Sequence, residues 1–260
     1  MTGPRLEGER LTGERLTVGV LGGLGPEATL DFFAKVLAAT PARRDQDHLH
    51  LIIDDDPSVP NRNDAVAGRG PSPAPQLAAM ARRLEAAGAD FLVMVCNAAH
   101  AFQDSIEDAV AIPFVSIVEE AVAATLARVP GARRVGVLAA EGALDAGLYQ
   151  RAFAARGVEA VAPEGDDRAT FMELMYAIKA GDKGDAIAGG MLRLARHLHE
   201  AGAEALVAGC TEVPLALSQP ALDGAGLALP LIASTDALVA ATIAIALGQR
   251  PLPTSRSSRP

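Results

Sequence analysis

The sequence predicts an α/β protein made of two similar doubly wound parallel-sheet domains, related by internal duplication, with a cleft between them. Three observations carry this expectation. Short runs rich in Val, Leu and Ile recur without polar alternation, as strands covered on both faces do. Segments of helical spacing lie between them, the order that builds a parallel sheet. Finally, the second half of the chain repeats the phrases of the first in the same order.

The expected strands run in order along the chain. "LTVGVLGG" (16–23), "LHLIIDD" (49–55), "FLVMVCN" (91–97) and "PFVSIV" (113–118) come first. "RVGVLAA" (134–140), "VEAVAP" (158–163), "ALVAGC" (205–210) and "LPLIAS" (229–234) follow. Between strands, "PAPQLAAMARRLEAAGAD" places Leu77, Met80 and Leu84 at helical spacing, with Gly88 as the stop. "FMELMYAIKAGD" puts Phe171, Leu174, Met175 and Ile178 on one face and ends at Gly181. The charged start "MTGPRLEGERLTGERL" and the Pro- and Ser-rich end "RPLPTSRSSRP" read as disordered tails, 1–16 and 249–260.

The repeat pairs "TVGVLGG" with "RRVGVLAA", "ADFLVMVCNAAH" with "AEALVAGCTEVP", and "IPFVSIVEEAVAAT" with "LPLIASTDALVAAT". The chain has only two cysteines, Cys96 and Cys210, and both end the same strand of the repeated unit. A single Cys after a strand reads as core packing. Two at equivalent strand ends read as a pair. Ligands of open α/β sheets bind outside the carboxyl ends of strands, so two such units face each other with one thiol on each wall. The expected division is 17–114 plus 229–248 for the first domain and 115–228 for the second.

Composition removes several classes. The chain has 260 residues, 50% of them apolar, and a formal net charge of −9. That acidity argues against non-specific nucleic-acid binding. The longest apolar run, "ALVAATIAIAL" at 237–247, is short of the roughly 18 residues a membrane helix needs, so no membrane partner is expected. With no hydrophobic signal region, the expected location is the cytoplasm. Two cysteines there argue against a structural disulfide. They are too few for a thiolate zinc site, and no His pair stands at ligand spacing beside them, so no metal is expected.

Two opposed thiols have a specific use. The ordinary Cys pKa of about 8.5 leaves both thiol and thiolate within reach of neutral pH, which suits general acid–base work. One thiolate removing a proton from one face of a carbon, and one thiol returning a proton to the other, inverts that carbon without metal or other cofactor. The carbanion needs donors, and backbone N–H groups after each strand can hold the substrate α-carboxylate. Asn97 and Thr211 stand directly after the cysteines. They are side-chain donors to substrate, or turn and cap residues. Glu212 orients or discharges a neighbour, or belongs to a first helical turn. His100, four residues after Cys96, reads as packed rather than as a base.

"GVLGGLGPEAT", "TPARRDQDH", "PNR", "MVCNAAHAF", "IKAG" and "AGCTEV", in this order and spacing, resemble the cofactor-independent aspartate/glutamate racemase family, the aspartate racemases in particular. The resemblance covers about residues 17–248. It implies two similar α/β domains with the active site between them, a homodimer, a small acidic amino acid as substrate and no cofactor. It makes Cys96 and Cys210 the acid/base pair. It assigns a substrate carboxylate to Arg62 of the "PNR" turn and to Lys179 of the "KAG" helix end. Asn97, Ala98 and Ala99 are further contacts. One departure is clear: the family usually has Thr where this chain has Ala98. Losing one such hydroxyl costs about 0.5–1.5 kcal/mol, which bears on affinity or substrate choice rather than reaction type.

Two rival readings stand beside this one. A dicarboxylate isomerase or decarboxylase of the same superfamily would use one cysteine as nucleophile or sole proton donor. A non-catalytic binder of dicarboxylates or nucleotides would need neither. The phrase "GGLGPEA" (22–28) suggests a dinucleotide loop, with Asp54–Asp56 where a ribose-binding acid would stand. Pro26 removes an N–H from that cradle, so Gly22, Gly23 and Gly25 are expected instead to shape a tight turn that brings backbone to the cleft.

Overall fold

The computed structural model describes residues 15–254. The first half contains β1 (Val18–Gly22), α1 (Pro26–Ala39), β2 (Leu51–Asp55), α2 (Arg62–Val66), α3 (Ala74–Ala86), β3 (Phe91–Met94), α4 (Gln103–Glu107), β4 (Phe114–Val115) and α5 (Ile117–Arg128). The second contains β5 (Arg134–Leu138), α6 (Glu141–Asp145), α7 (Leu148–Ala154), β6 (Glu159–Val161), α8 (Gly165–Lys179), α9 (Asp185–Glu200), β7 (Leu206–Ala208), α10 (Gln219–Gly224), β8 (Leu231–Ala233) and α11 (Ser234–Ala246). All eight expected strands are present. "PFVSIV" is strand only at Phe114–Val115, and Ile117 already opens α5. The apolar run does not change there because both the strand and the first turn of the helix are buried.

Each half forms a four-stranded sheet, in the orders β2-β1-β3-β4 and β6-β5-β7-β8, with every pairing parallel. The two orders are the same order, so the duplication seen in the sequence is a duplication of topology. Side chains repeat it. A Cβ on Gly19 of β1 would fall 2.6 Å from Leu92 of β3, and one on Gly136 of β5 falls 2.6 Å from Leu206 of β7. Thr125 and Thr242 are both fully buried, and each hydroxyl donates to the carbonyl four residues earlier at 2.7 Å.

The interior is continuous between the halves. Val18, Val20 and Phe91–Val95 share one apolar cluster with Ile117, Val135, Val137, Tyr149, Phe153, Val207 and Leu238. A second cluster fills the other face of the second sheet under α8 and α9. Within the expected grouping of 229–248 with the first domain, the strand requires correction. β8 pairs with β7 and completes the second sheet, while α11 lies against α5 and α1. The final strand follows its repeat partner β4, which also sits beyond the third strand of its own sheet.

The tails also differ from expectation where they are described. The Leu16 N–H donates to Ala246 O at 3.1 Å. Arg15 donates to Gln46 O at 2.9 Å and His48 O at 3.4 Å. Arg250 makes two hydrogen bonds of 2.6 Å to the Glu120 carboxylate. The expected disorder of 1–14 and 255–260 falls outside the described residues. Among the described residues, no helix is long and apolar enough to cross a membrane.

Candidate active site

In the 2-1-3-4 order, the connections leaving the first and third strands diverge, which opens a crevice at their carboxyl ends. Gly23 follows β1 and Cys96 follows β3. Ala140 follows β5 and Cys210 follows β7. All four line a single cavity of about 300 Å³ between the halves. Both cysteines are buried and unoxidised, 8% and 7% exposed. Arg62, Asn97, Ala98, Lys179 and Thr211 line the same cavity. Ala99 is not brought to it. That residue is fully buried in the 3-10 turn Ala98–Phe102 and packs into the core.

The two thiols have unlike surroundings. The Cys210 thiol donates to Glu212 Oε2 at 2.9 Å. Burial pushes its pKa well above the ordinary cysteine value, and the adjacent Glu212 carboxylate pushes it further, with Lys179 opposing. Glu212 also accepts from the Thr211 hydroxyl at 3.0 Å and, through Oε1, from Lys179 Nζ. Burial opposes charge on Glu212, but Lys179 and these hydrogen bonds outweigh it and hold its pKa below the usual carboxylate range. The Lys179 ammonium is raised in turn. Burial works against it, while Glu212 and both cysteines favour its charge. Thr211 therefore braces Glu212. Lys179 is an ion-paired cation whose field reaches both thiols.

The hydrogen-bonded groups that brace the Cys96 turn are neutral. His100 is buried, and burial pushes its pKa down to about 4 despite the Cys96 carbonyl. Its Nδ1 lies 2.8 Å from Cys96 O, and its Nε2 accepts from the Ile117 N–H at 3.2 Å. The ring is thus a neutral brace for the turn that carries the cysteine. Asn97 Oδ1 accepts from the Tyr149 hydroxyl at 2.6 Å, and Nδ2 donates to Ser234 Oγ at 3.0 Å. One amide hydrogen remains for a ligand.

Arg62 opens α2 at the end of the "PNR" turn. Its Nη1 donates to Val59 O and Pro60 O, both at 3.0 Å, and its Nη2 to Leu24 O at 2.7 Å. Its Nε is buried with no partner. A buried donor left unpaired costs about 1–3 kcal/mol, so the strained guanidinium is held at the cavity wall by its three Nη hydrogen bonds. The neighbouring Asn63 crosses to the second half: its Oδ1 accepts from the Gly142 N–H at 2.9 Å and its Nδ2 donates to Tyr176 OH at 3.3 Å.

The glycine loop has the turn role expected of it. Gly23 has φ +79°, and a Cβ there would fall 2.3 Å from Asp56 N. Its N–H donates to Thr29 Oγ1 at 3.0 Å. Asp54 pairs with Arg83 at 2.7 Å, and Asp56 accepts from Ser58 and Gln76. Those carboxylates are committed within the fold. Gly23→Ala is expected to destabilise the protein by at least ~1–2 kcal/mol, the cost of left-handed backbone for an L-residue. It should be visible as a lower urea midpoint at unchanged slope, and an unmoved midpoint would contradict the overlap described.

Several lining residues carried no sequence signal. Asn63, Met175, Tyr176, Ala140 and Gly209 reach the cavity only because distant segments converge. Tyr176 stands three residues before Lys179 on α8, so the two share a face of that helix.

The Asp/Glu/Hydantoin racemase family model matches residues 21–242. This chain belongs to that family. The racemase resemblance read from the motifs is thereby confirmed. The structure of Picrophilus torridus aspartate racemase superposes with a TM-score of 0.78 at 26% identity, over 92% of this chain and 96% of that one. An aspartate racemase homologue from Pyrococcus horikoshii OT3 gives a TM-score of 0.70 at 23% identity, over 88% and 98%, a likeness of fold. The broad specificity amino-acid racemase RacX of Bacillus subtilis (strain 168) is 29% identical over 149 residues, which are 55% of this chain and 63% of RacX. The chain thus spans less than two thirds of that relative.

Proposed function

We propose that this racemase-family protein interconverts the enantiomers of an acidic amino acid, aspartate first among them, by 1,1-proton transfer between Cys96 and Cys210. The observation that carries the reading is the convergence of the chain's only two thiols on one cavity, from equivalent strand ends of the two sheets. The name of the Picrophilus relative favours aspartate over glutamate. One methylene separates the two, a discrimination of about 1–3 kcal/mol.

The Arg62 guanidinium receives a substrate carboxylate, and Lys179 adds a second cation at the cavity wall. Backbone N–H groups beyond the cysteines hold the α-carboxylate, which gains negative charge as the Cα proton leaves. In the resting arrangement Cys210 is the thiol, held by Glu212, and Cys96 is the base. Cys96 thiolate takes the Cα proton from one face. Cys210 thiol then delivers its proton to the other face, leaving Cys210 as thiolate. The reverse reaction starts from that state. No cofactor enters the step. The same reading takes the protein as a cytoplasmic homodimer.

Enantiomers have equal free energy, so kcat/KM must be equal in the two directions at every pH. The unequal thiols act on KM and kcat separately. The form with Cys210 ionised is the minor one, so the enantiomer that needs it binds with a KM raised by that fraction. Glu212→Gln removes the charge that disfavours the Cys210 thiolate. The kcat/KM profile is expected to shift to lower pH, and the two KM values to converge. A profile that stays in place or moves to higher pH would contradict this account of Glu212.

The direct test is incubation of the protein with each aspartate enantiomer in D₂O without added cofactor. Interconversion with deuterium on Cα supports the reading. Release of CO₂, or a requirement for NAD, overturns it in favour of another enzyme. Tight binding without exchange overturns it in favour of a binding protein.

A further inference from the structure

Beyond the groups that touch substrate, one fully buried side chain contacts the chain next to both cysteines. Tyr149 lies on α7, with its ring stacked on Phe153 at a centroid distance of 6.4 Å. Its hydroxyl donates to Asn97 Oδ1 at 2.6 Å, and Asn97 directly follows Cys96. The edge of its ring closes over Gly209, which directly precedes Cys210. A Cβ at Gly209 would fall 2.8 Å from Tyr149 Cε2 and 3.2 Å from Cζ. Consecutive Cα atoms stand 3.8 Å apart across a rigid trans peptide, so Cys210 is one such link from the glycine under the ring, and Cys96 is one link from Asn97, whose amide is fixed at both ends. Ser234, at the start of α11, holds the other end of the Asn97 amide at 3.0 Å. The first cysteine's neighbour is therefore gripped by two residues of the second half.

We infer that Tyr149 is a positioning residue that sets the distance between the two thiols, holding Asn97 with its hydroxyl and Gly209 with its ring. The inference rests on the two-thiol racemase reading. It explains why the position carries Tyr, since Phe fills the same space but leaves the Asn97 oxygen without its donor. It also explains why Gly precedes Cys210, since any side chain there would displace the ring. The hydroxyl stays protonated: burial drives its pKa far above the ordinary tyrosine value, and the nearby Cys210 adds to the rise. It remains a donor throughout turnover.

The test uses the partition of deuterium. Wild-type and Tyr149→Phe protein are incubated in D₂O with L-aspartate and, separately, D-aspartate, and stopped at low conversion. Aligned thiols pass the carbanion to the opposite face, so deuterium enters the product and not the recovered substrate. With the spacing relaxed, one thiol still removes the proton but the opposite face is protonated less often. Tyr149→Phe is expected to lose about 10- to 100-fold in kcat, with little change in KM, and to place deuterium in recovered substrate ahead of product. A residue that merely fills the core would lower the active fraction and leave the partition unchanged. That result, or kcat within twofold of wild type, would overturn the inference. Should Tyr149→Phe fail to fold, Ser234→Ala frees the other end of the Asn97 amide with the ring in place, and the same two outcomes decide. A wild-type protein that labels neither enantiomer overturns the racemase reading itself. A labelling wild type matched by its variant overturns only the role of Tyr149.

Discussion

Cys96→Ala and Cys210→Ala are each expected to abolish racemisation and to leave a one-sided exchange behind. Removing one thiol takes away the acid or base on one face of the substrate. General acid–base groups of this kind contribute about 10²–10⁴-fold, and both are needed for inversion. The surviving thiol still takes a proton from its own face, exchanges it with solvent and returns it there. Each variant should therefore label Cα of a single enantiomer in D₂O, and the two variants should label opposite ones. Chiral chromatography gives the loss of inversion, and mass spectrometry of each recovered enantiomer gives the exchange. Both volumes are small and both residues are buried beside polar groups, so the fold should tolerate alanine. If either variant racemises at the wild-type rate, the two-thiol step is wrong. If both label the same enantiomer, the thiols do not stand on opposite faces.

Arg62→Lys should raise the KM for aspartate about 10- to 100-fold with a smaller change in kcat. The charge is kept, but the planar guanidinium is lost. Arg62 does two things at once: its Nη atoms hold the carbonyls of Leu24, Val59 and Pro60, and its guanidinium stands at the cavity wall. An ammonium offers a single point of donation and cannot reproduce that fork. Losing a charge-assisted hydrogen bond to a carboxylate costs about 1.5–3 kcal/mol, which is the range of KM given. Initial-rate measurements with both enantiomers check it. An unchanged KM would mean that Arg62 is not where the substrate carboxylate goes.

Much of this architecture is legible in the sequence because it rests on local patterns. The strands follow from uninterrupted Val, Leu and Ile, and the duplication follows from phrases repeated in order. The shared topology of the sheets then brings the carboxyl ends of β3 and β7 together, and the two cysteines with them. Arg62 and Lys179 were named through a resemblance of motifs, and both line the cavity. What was not legible depends on pairings between distant segments. Nothing periodic links Lys179 to Glu212, or Tyr149 to Asn97, since each pair meets only after two strand–helix units have folded. The placement of β8 failed for a related reason. Its apolar pattern suits either sheet, and hydrogen bonding to β7 decides the matter. The motif resemblance implies a substrate contact at Ala99, but the tight 3-10 turn rotates successive side chains away from one another, and its methyl group packs into the core.

The continuous interior beneath β1, β3, β5 and β7, with α5 lying on α11, joins the two halves through one apolar body. A ligand cannot be admitted by wholesale hinging without exposing that oil to water. The polar links between the halves, Asn63 to Gly142 and Lys183 to Glu27, are by contrast small and exposed in part. The apolar contact, not these links, is what fixes the spacing of the two cysteine-bearing strand ends.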